Sequence, residues 1–140
     1  MIILVPMGGK GSRFQREGYE TNKAEIPVID RHSGKELPMI LCALKDIPWL
    51  SNKNNKLICV DKLEHQISGL ESKIKKTYPQ SVFIHDHVKL DQAFGCFLAR
   101  DHLKSEQDLF IGACDNGFEI ENNKFNRLKK ISISDTFQDI

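Results

Sequence analysis

The feature that most constrains the fold is an alternation between short, continuous apolar runs and longer stretches whose apolar residues recur at helical spacing. Ile2–Val5 and Lys56–Val60 read as strands buried on both faces, and Ser81–His85 and Leu109–Cys114 as a third and a fourth strand. Between them, Leu37, Ile40, Leu41, Leu44 and Ile47 fall three and four residues apart, with Pro38 suited to a first helical turn and Pro48 to a stop. Leu63, Ile67, Leu70 and Ile74 mark a second amphipathic helix ending near Pro79, and Leu90 to Leu103 a third. Strand and helix in strict alternation require crossovers, and crossovers give a mainly parallel sheet covered on both faces. In such a sheet, ligands bind beyond the carboxyl ends of the strands, where the chain carries a glycine-rich loop and Asp115.

The chain of 140 residues has the size of one domain, and at 40% hydrophobic content it can remove about two-thirds of its unfolded surface from water. Lys plus Arg number 20 against 19 Asp plus Glu, so the net charge of +1 argues against nucleic acid as a partner. The apolar opening MIILV is too short for a signal peptide or a membrane span, and Pro6 follows it at once. Cys42, Cys59, Cys96 and Cys114 are widely separated among apolar neighbours, which fits reduced core thiols and a cytoplasmic location better than a disulfide or zinc framework. Trp49 beside Pro48 suits a helix end. The triplet His85-Asp86-His87 has no further metal ligand nearby in sequence and reads as structural.

The loop after the first strand, PMGGKGSRF, offers consecutive backbone N–H groups with no side chain in the way at Gly8, Gly9 and Gly11, followed by the guanidinium of Arg13. That combination suits a phosphate, and it also suits a flexible turn. It is neither a Walker loop nor the dinucleotide fingerprint, since the required spacing is absent. Lys23 reads as a ligand ahead of an ordinary solvated lysine. Gln92 fits either a base contact or the first turn of a helix, and Asp115-Asn116-Gly117 either a metal ligand or a turn.

PMGGKGSRF followed by GYETNKAEIPV resembles the N-terminal signature of the sugar-nucleotide pyrophosphorylases, a nucleotidyltransferase family with a GT-A-like Rossmann fold. The matching positions are Gly8, Gly9, Gly11, Ser12, Arg13 and Lys23, with Asn22 and Ala24 where the family carries prolines. DQAFGCFLARDHL is similar to the family segment in which a Gln contacts the base, here Gln92, with Asp91 in place of a small residue. LFIGACDNG is similar to the strand that delivers a metal-binding Asp, here Asp115.

The resemblance implies a three-layer α/β sandwich in which Met7, Gly8, Gly9, Gly11, Ser12, Arg13 and Gln92 bind a nucleotide. It gives Arg13 and Lys23 catalytic roles and Asp115 a Mg2+ ion. The implied reaction is attack by a sugar phosphate, or a similar phosphorylated metabolite, on the α-phosphorus of a nucleoside triphosphate, with release of pyrophosphate. The family domain runs about another hundred residues, so residues 1–140 correspond to its nucleotide-binding half and the domain is expected to be truncated. Asp135 and Asp139 come too early to be its second metal ligand. Two other classes stay open: a nucleotide-binding module without turnover, and, less well matched for want of an Asp-x-Asp, a GT-A glycosyltransferase. Homo-oligomerisation is left open.

Overall fold

A computed structural model of the chain describes residues 1–103 and 106–120. Its centre is a parallel sheet of β1 (Ile2–Pro6), β4 (Lys56–Asp61), β5 (Ser81–His85) and β6 (Leu109–Ile111), in the order β5-β4-β1-β6. Helix α1 (Ser12–Arg16) follows the glycine loop, and α2 (Met39–Lys45) precedes β4. Helices α3 (Leu63–Ile67) and α4 (Leu70–Thr77) lie between β4 and β5, and α5 (Gln92–Leu98) leads toward β6. The expected short helix at Phe125–Leu128, with Asp135 and Asp139, lies outside the described residues.

Alternate residues of each strand point to opposite faces, and the apolar runs use both. Ile3, Val5, Leu57 and Cys59 pack against Ile40 and Leu44 of α2 and Leu70 and Ile74 of α4. Ile2, Leu4, Ile58 and Val60 pack against Ala99 at the end of α5, with Cys96 and Leu98 alongside. The architecture is therefore α/β and Rossmann-like, with helices on both faces of the sheet.

The strand order places the site. From β1 the chain builds outward through β4 to β5, with α2 and α4 on one face, and then returns past β1 by way of α5 on the other face to form β6. The connections that leave the carboxyl ends of β1 and β5 thus run on opposite faces, the strand order reverses between β1 and β6, and the cleft lies at the carboxyl ends of these neighbours.

Four details differ from the sequence reading, the first being that β6 stops at Ile111 where the expected strand runs to Cys114. The second helix is two helices, because Gly69 adopts φ 82° between α3 and α4. The third is shorter, closing at Leu98 and continuing as a separate 3-10 turn at Arg100–His102. Pro38 lies just before α2, as the last residue of an antiparallel hairpin, β2 (Pro27–Ile29) with β3 (Glu36–Pro38). Leu37 and Pro38, expected in the first turn of the helix, thus belong to a strand, and the helix starts at Met39. Among the described residues, no helix is long and apolar enough to cross a membrane.

Candidate functional site

The carboxyl ends of the strands enclose a cleft of about 330 Å³, lined by the glycine loop, Lys23, Lys62, Asp86, Asp91, Gln92 and Asp115. A wider groove of about 570 Å³ continues from it between Lys10, Arg13 and Phe14 on one side and Lys89 and Leu90 on the other. Gly11, Lys23, Asp91 and Asp115 border both spaces.

The glycines of the loop answer to different physical demands. Gly8 passes between the ends of β4 and β5, where a Cβ would stand 3.0 Å from the Asp61 carbonyl oxygen and 3.0 Å from the Asp86 Cβ. Gly11 turns the chain into α1 at φ 67°, a conformation that costs other residues strain. Gly9 is under neither constraint: a Cβ there would meet no protein atom within 4 Å, so the space it leaves open faces the cleft. The Met7 side chain is buried and its N–H donates to the Val60 carbonyl at 2.7 Å. The amides of Gly8, Gly9, Lys10 and Gly11 donate to no group among the described residues. These four N–H groups are the part of the loop available to an anion.

Lys23 opens a 3-10 turn, Lys23–Glu25, anchored by buried Ala24 and closed by a hydrogen bond from Asn22 Nδ2 to Glu25 Oε2 at 2.9 Å. Lys23 Nζ reaches Asp115 Oδ2 at 2.6 Å and lies 5.4 Å from the Phe14 ring centroid. Asp115 follows buried Cys114 just past β6. The loop that carries it is fastened from beneath by Asp46, whose carboxylate accepts from Phe118 N at 3.2 Å, Arg31 Nε at 3.1 Å and His32 Nε2 at 2.8 Å. Arg31 Nη2 also donates to the Phe118 carbonyl at 2.8 Å, so the turn of the β2–β3 hairpin latches the Asp115 loop.

Gln92 sits at the start of α5, exposed over the cleft, one turn before Gly95. A Cβ on Gly95 would come 3.0 Å from the Pro6 Cβ, and its absence lets α5 press onto β1 and bring Gln92 to the loop. Asp91 caps α5 by accepting from Phe94 N at 2.8 Å through Oδ1. Of the residues singled out in sequence, Gly8, Gly9, Gly11, Lys23, Gln92 and Asp115 therefore meet at one cleft. Ser12 and Arg13 do not line it. They stand in the outer groove, where the exposed Arg13 has no ion pair with a described residue.

Lys62, Asp86 and Asp91 escaped the sequence reading as site residues. The signal for the first two was position, since Lys62 stands immediately after β4 and Asp86 immediately after β5, the strand ends at which such sheets bind ligands. Asp86 is buried, and its Oδ1 accepts from Val88 N at 2.9 Å and Lys89 N at 2.8 Å. Lys62 is 5% exposed, and burial pulls its ammonium below the ordinary lysine range. Burial likewise pushes the Cys59 and Cys114 thiols up, which makes them inert.

Asp115 and Asp91 supply the hard carboxylate oxygens that Mg2+ favours. Among the described residues no group of three or more His, Cys, Asp or Glu side chains forms a cage, so an ion here would complete its shell with phosphate and water oxygens. His85 and His87 take no part: His85 Nε2 pairs with Glu71 Oε1 at 2.6 Å. No protein-family model, no curated protein and no solved structure matches the chain.

Proposed function

We propose that this cleft binds a nucleoside triphosphate and that the chain forms the nucleotide-binding part of a cytoplasmic nucleotidyltransferase with a GT-A-like fold. The reaction is transfer of a nucleoside monophosphate to a sugar phosphate or a similar phosphorylated metabolite, with release of pyrophosphate. The observation that carries this reading is the meeting, at the β1/β6 crevice, of four unengaged loop amides, Gln92 and the facing pair Lys23–Asp115.

The triphosphate lies along the loop with its oxygens on the free amides, and the outer groove extends the cationic wall through Lys10 and Arg13. Lys23 turns from Asp115 to a phosphate oxygen, which exchanges one ion pair for another. Asp115 and Asp91 would hold a Mg2+ ion, which would neutralise charge on the phosphates. Gln92 both donates and accepts, so it can read a base edge. The acceptor's phosphate oxygen forms a bond to the α-phosphorus in line as the bond to the bridging oxygen of pyrophosphate breaks. Positioning and electrostatics provide the rate, since no covalent intermediate is required.

Pyrophosphate release from each nucleoside triphosphate with a panel of sugar phosphates tests the reading. Turnover that falls in both Arg13→Ala and Asp115→Ala supports it, and turnover unchanged in both overturns the assigned roles. A second reading, nucleotide binding without turnover, is favoured by the placement of Arg13 in the groove rather than the cleft. Saturable triphosphate binding with no pyrophosphate release would establish it.

A further inference from the structure

We infer that Lys62 is a phosphate-binding residue on the floor of the cleft, a second cationic station below Gly9 and separate from the Lys10–Arg13 groove. The inference rests on the phosphate reading of the cleft given above. An ammonium carries three donors, and burying one without acceptors is costly. Lys62 is 5% exposed, yet its Nζ has a single long contact, 3.5 Å to the Gly9 carbonyl oxygen, and it forms no ion pair with a described carboxylate.

No carboxylate beside it reaches the ammonium: Asp61 Oδ2 is buried without a hydrogen-bond partner among the described residues, yet it forms no ion pair with Lys62. Asp61 Oδ1 accepts from the backbone N–H of Lys62 at 2.7 Å and pairs with His65 Nδ1, and Asp86 Oδ1 takes the amides of Val88 and Lys89. Glu64, Asp61 and Glu25 act on the Lys62 ammonium only through the field, and desolvation, with the like charge of Lys89 beside it, outweighs them. Glu64 is itself paired with Lys89. What remains for the ammonium is the open side of the cleft, beneath the loop whose amides are also unengaged. A phosphate oxygen there meets two donor sets at once, the Lys62 ammonium and the loop N–H groups. That oxygen belongs either to the triphosphate or to the phosphorylated acceptor.

The test compares wild type with Lys62→Met, which keeps the length of the side chain and removes its charge. Calorimetric titrations use inorganic tripolyphosphate with Mg2+ and, separately, a hexose phosphate. The inference expects Lys62→Met to lose about ten- to hundredfold in affinity for one of the two probes, the probe affected identifying the source of the phosphate. The melting temperature should be equal to wild type or higher, because an unpaired buried charge is gone. In wild type, binding should weaken as the pH rises through a range lower than an ordinary lysine would give, and in the variant that limb should move up.

Lys62→Met binding both probes as wild type does overturns the inference and leaves the phosphate reading intact. Wild type binding neither probe overturns both. If the variant does not fold, acylation of wild-type lysines with and without tripolyphosphate or the hexose phosphate decides: protection of Lys62 by either supports the inference, and Lys62 labelled equally throughout while Lys23 is protected overturns it.

Discussion

Asp115→Asn keeps the side chain's size and removes the charge that faces Lys23 at 2.6 Å. Both side chains are 28% exposed, so solvent screens the pair and its worth is about 1 kcal/mol. That energy opposes triphosphate binding in the absence of metal, because Lys23 must leave Asp115 to reach a phosphate. With Mg2+ chelated, the variant should therefore bind triphosphate more tightly than wild type, by about fivefold. With Mg2+ present the order should reverse, since the ion has lost a carboxylate ligand, and binding should fall by at least about tenfold. Isothermal titration of one triphosphate, with chelator and with Mg2+, reads both effects on the same protein, and a thermal melt confirms that the fold is kept. Equal weakening in the two buffers would refute the exchange of partners and make Asp115 a residue that shapes the loop instead.

The glycines should separate by their surroundings. Gly8→Ala, forced against the Asp61 carbonyl, should cost about 1 to 3 kcal/mol in urea unfolding, whereas Gly9→Ala should leave stability within about 0.5 kcal/mol and still weaken triphosphate binding. Asp46→Ala should lower stability by about 2 kcal/mol through loss of its bonds to Arg31, His32 and Phe118, and should reduce the Mg2+ dependence of binding as the Asp115 loop loosens. The Lys45 ammonium, and after it the Ser33 hydroxyl, hold the Asp30 carboxyl well below the usual carboxylate range. A carboxyl depressed in the folded state stabilises above its unfolded value of about 4, and that contribution is lost as pH falls below it. Urea unfolding across acid pH should show this loss in wild type and a flatter profile in Asp30→Asn.

The sheet was legible because its strands are apolar on both faces. Ile2–Val5 and Lys56–Val60 carry no polar residue between their ends, and the structure puts alternate members of each into different cores. The β2–β3 hairpin was not legible. Its strands are three residues each, prolines sit at Pro27 and Pro38, and short proline-bearing edges resemble connecting loops. Gly69 split a helix whose apolar spacing runs through it unbroken, since periodicity reports which face is buried and is blind to a left-handed turn.

In the site, the glycine loop, Lys23, Gln92 and Asp115 announced themselves because each belongs to a stretch with a recognisable pattern. Lys62 and Asp86 follow strands without a recognisable motif around them, and only the sheet order, which brings the ends of β4 and β5 against Gly8, turns them into lining residues. Asp46 was hidden for a similar reason. Its partners at residues 31, 32 and 118 are joined by the tertiary fold rather than by any local spacing.

The central claim, that the loop amides at the β1/β6 crevice receive a triphosphate, is tested most directly by amide NMR during titration with Mg2+ and each nucleoside triphosphate. The account expects saturable shifts at Gly8, Gly9, Lys10 and Gly11, with Lys23 and Asp115 following the same binding curve and the β2–β3 hairpin strands largely unmoved. Resonances of the loop that stay in place for every nucleotide, or shifts that saturate elsewhere on the molecule, would contradict it.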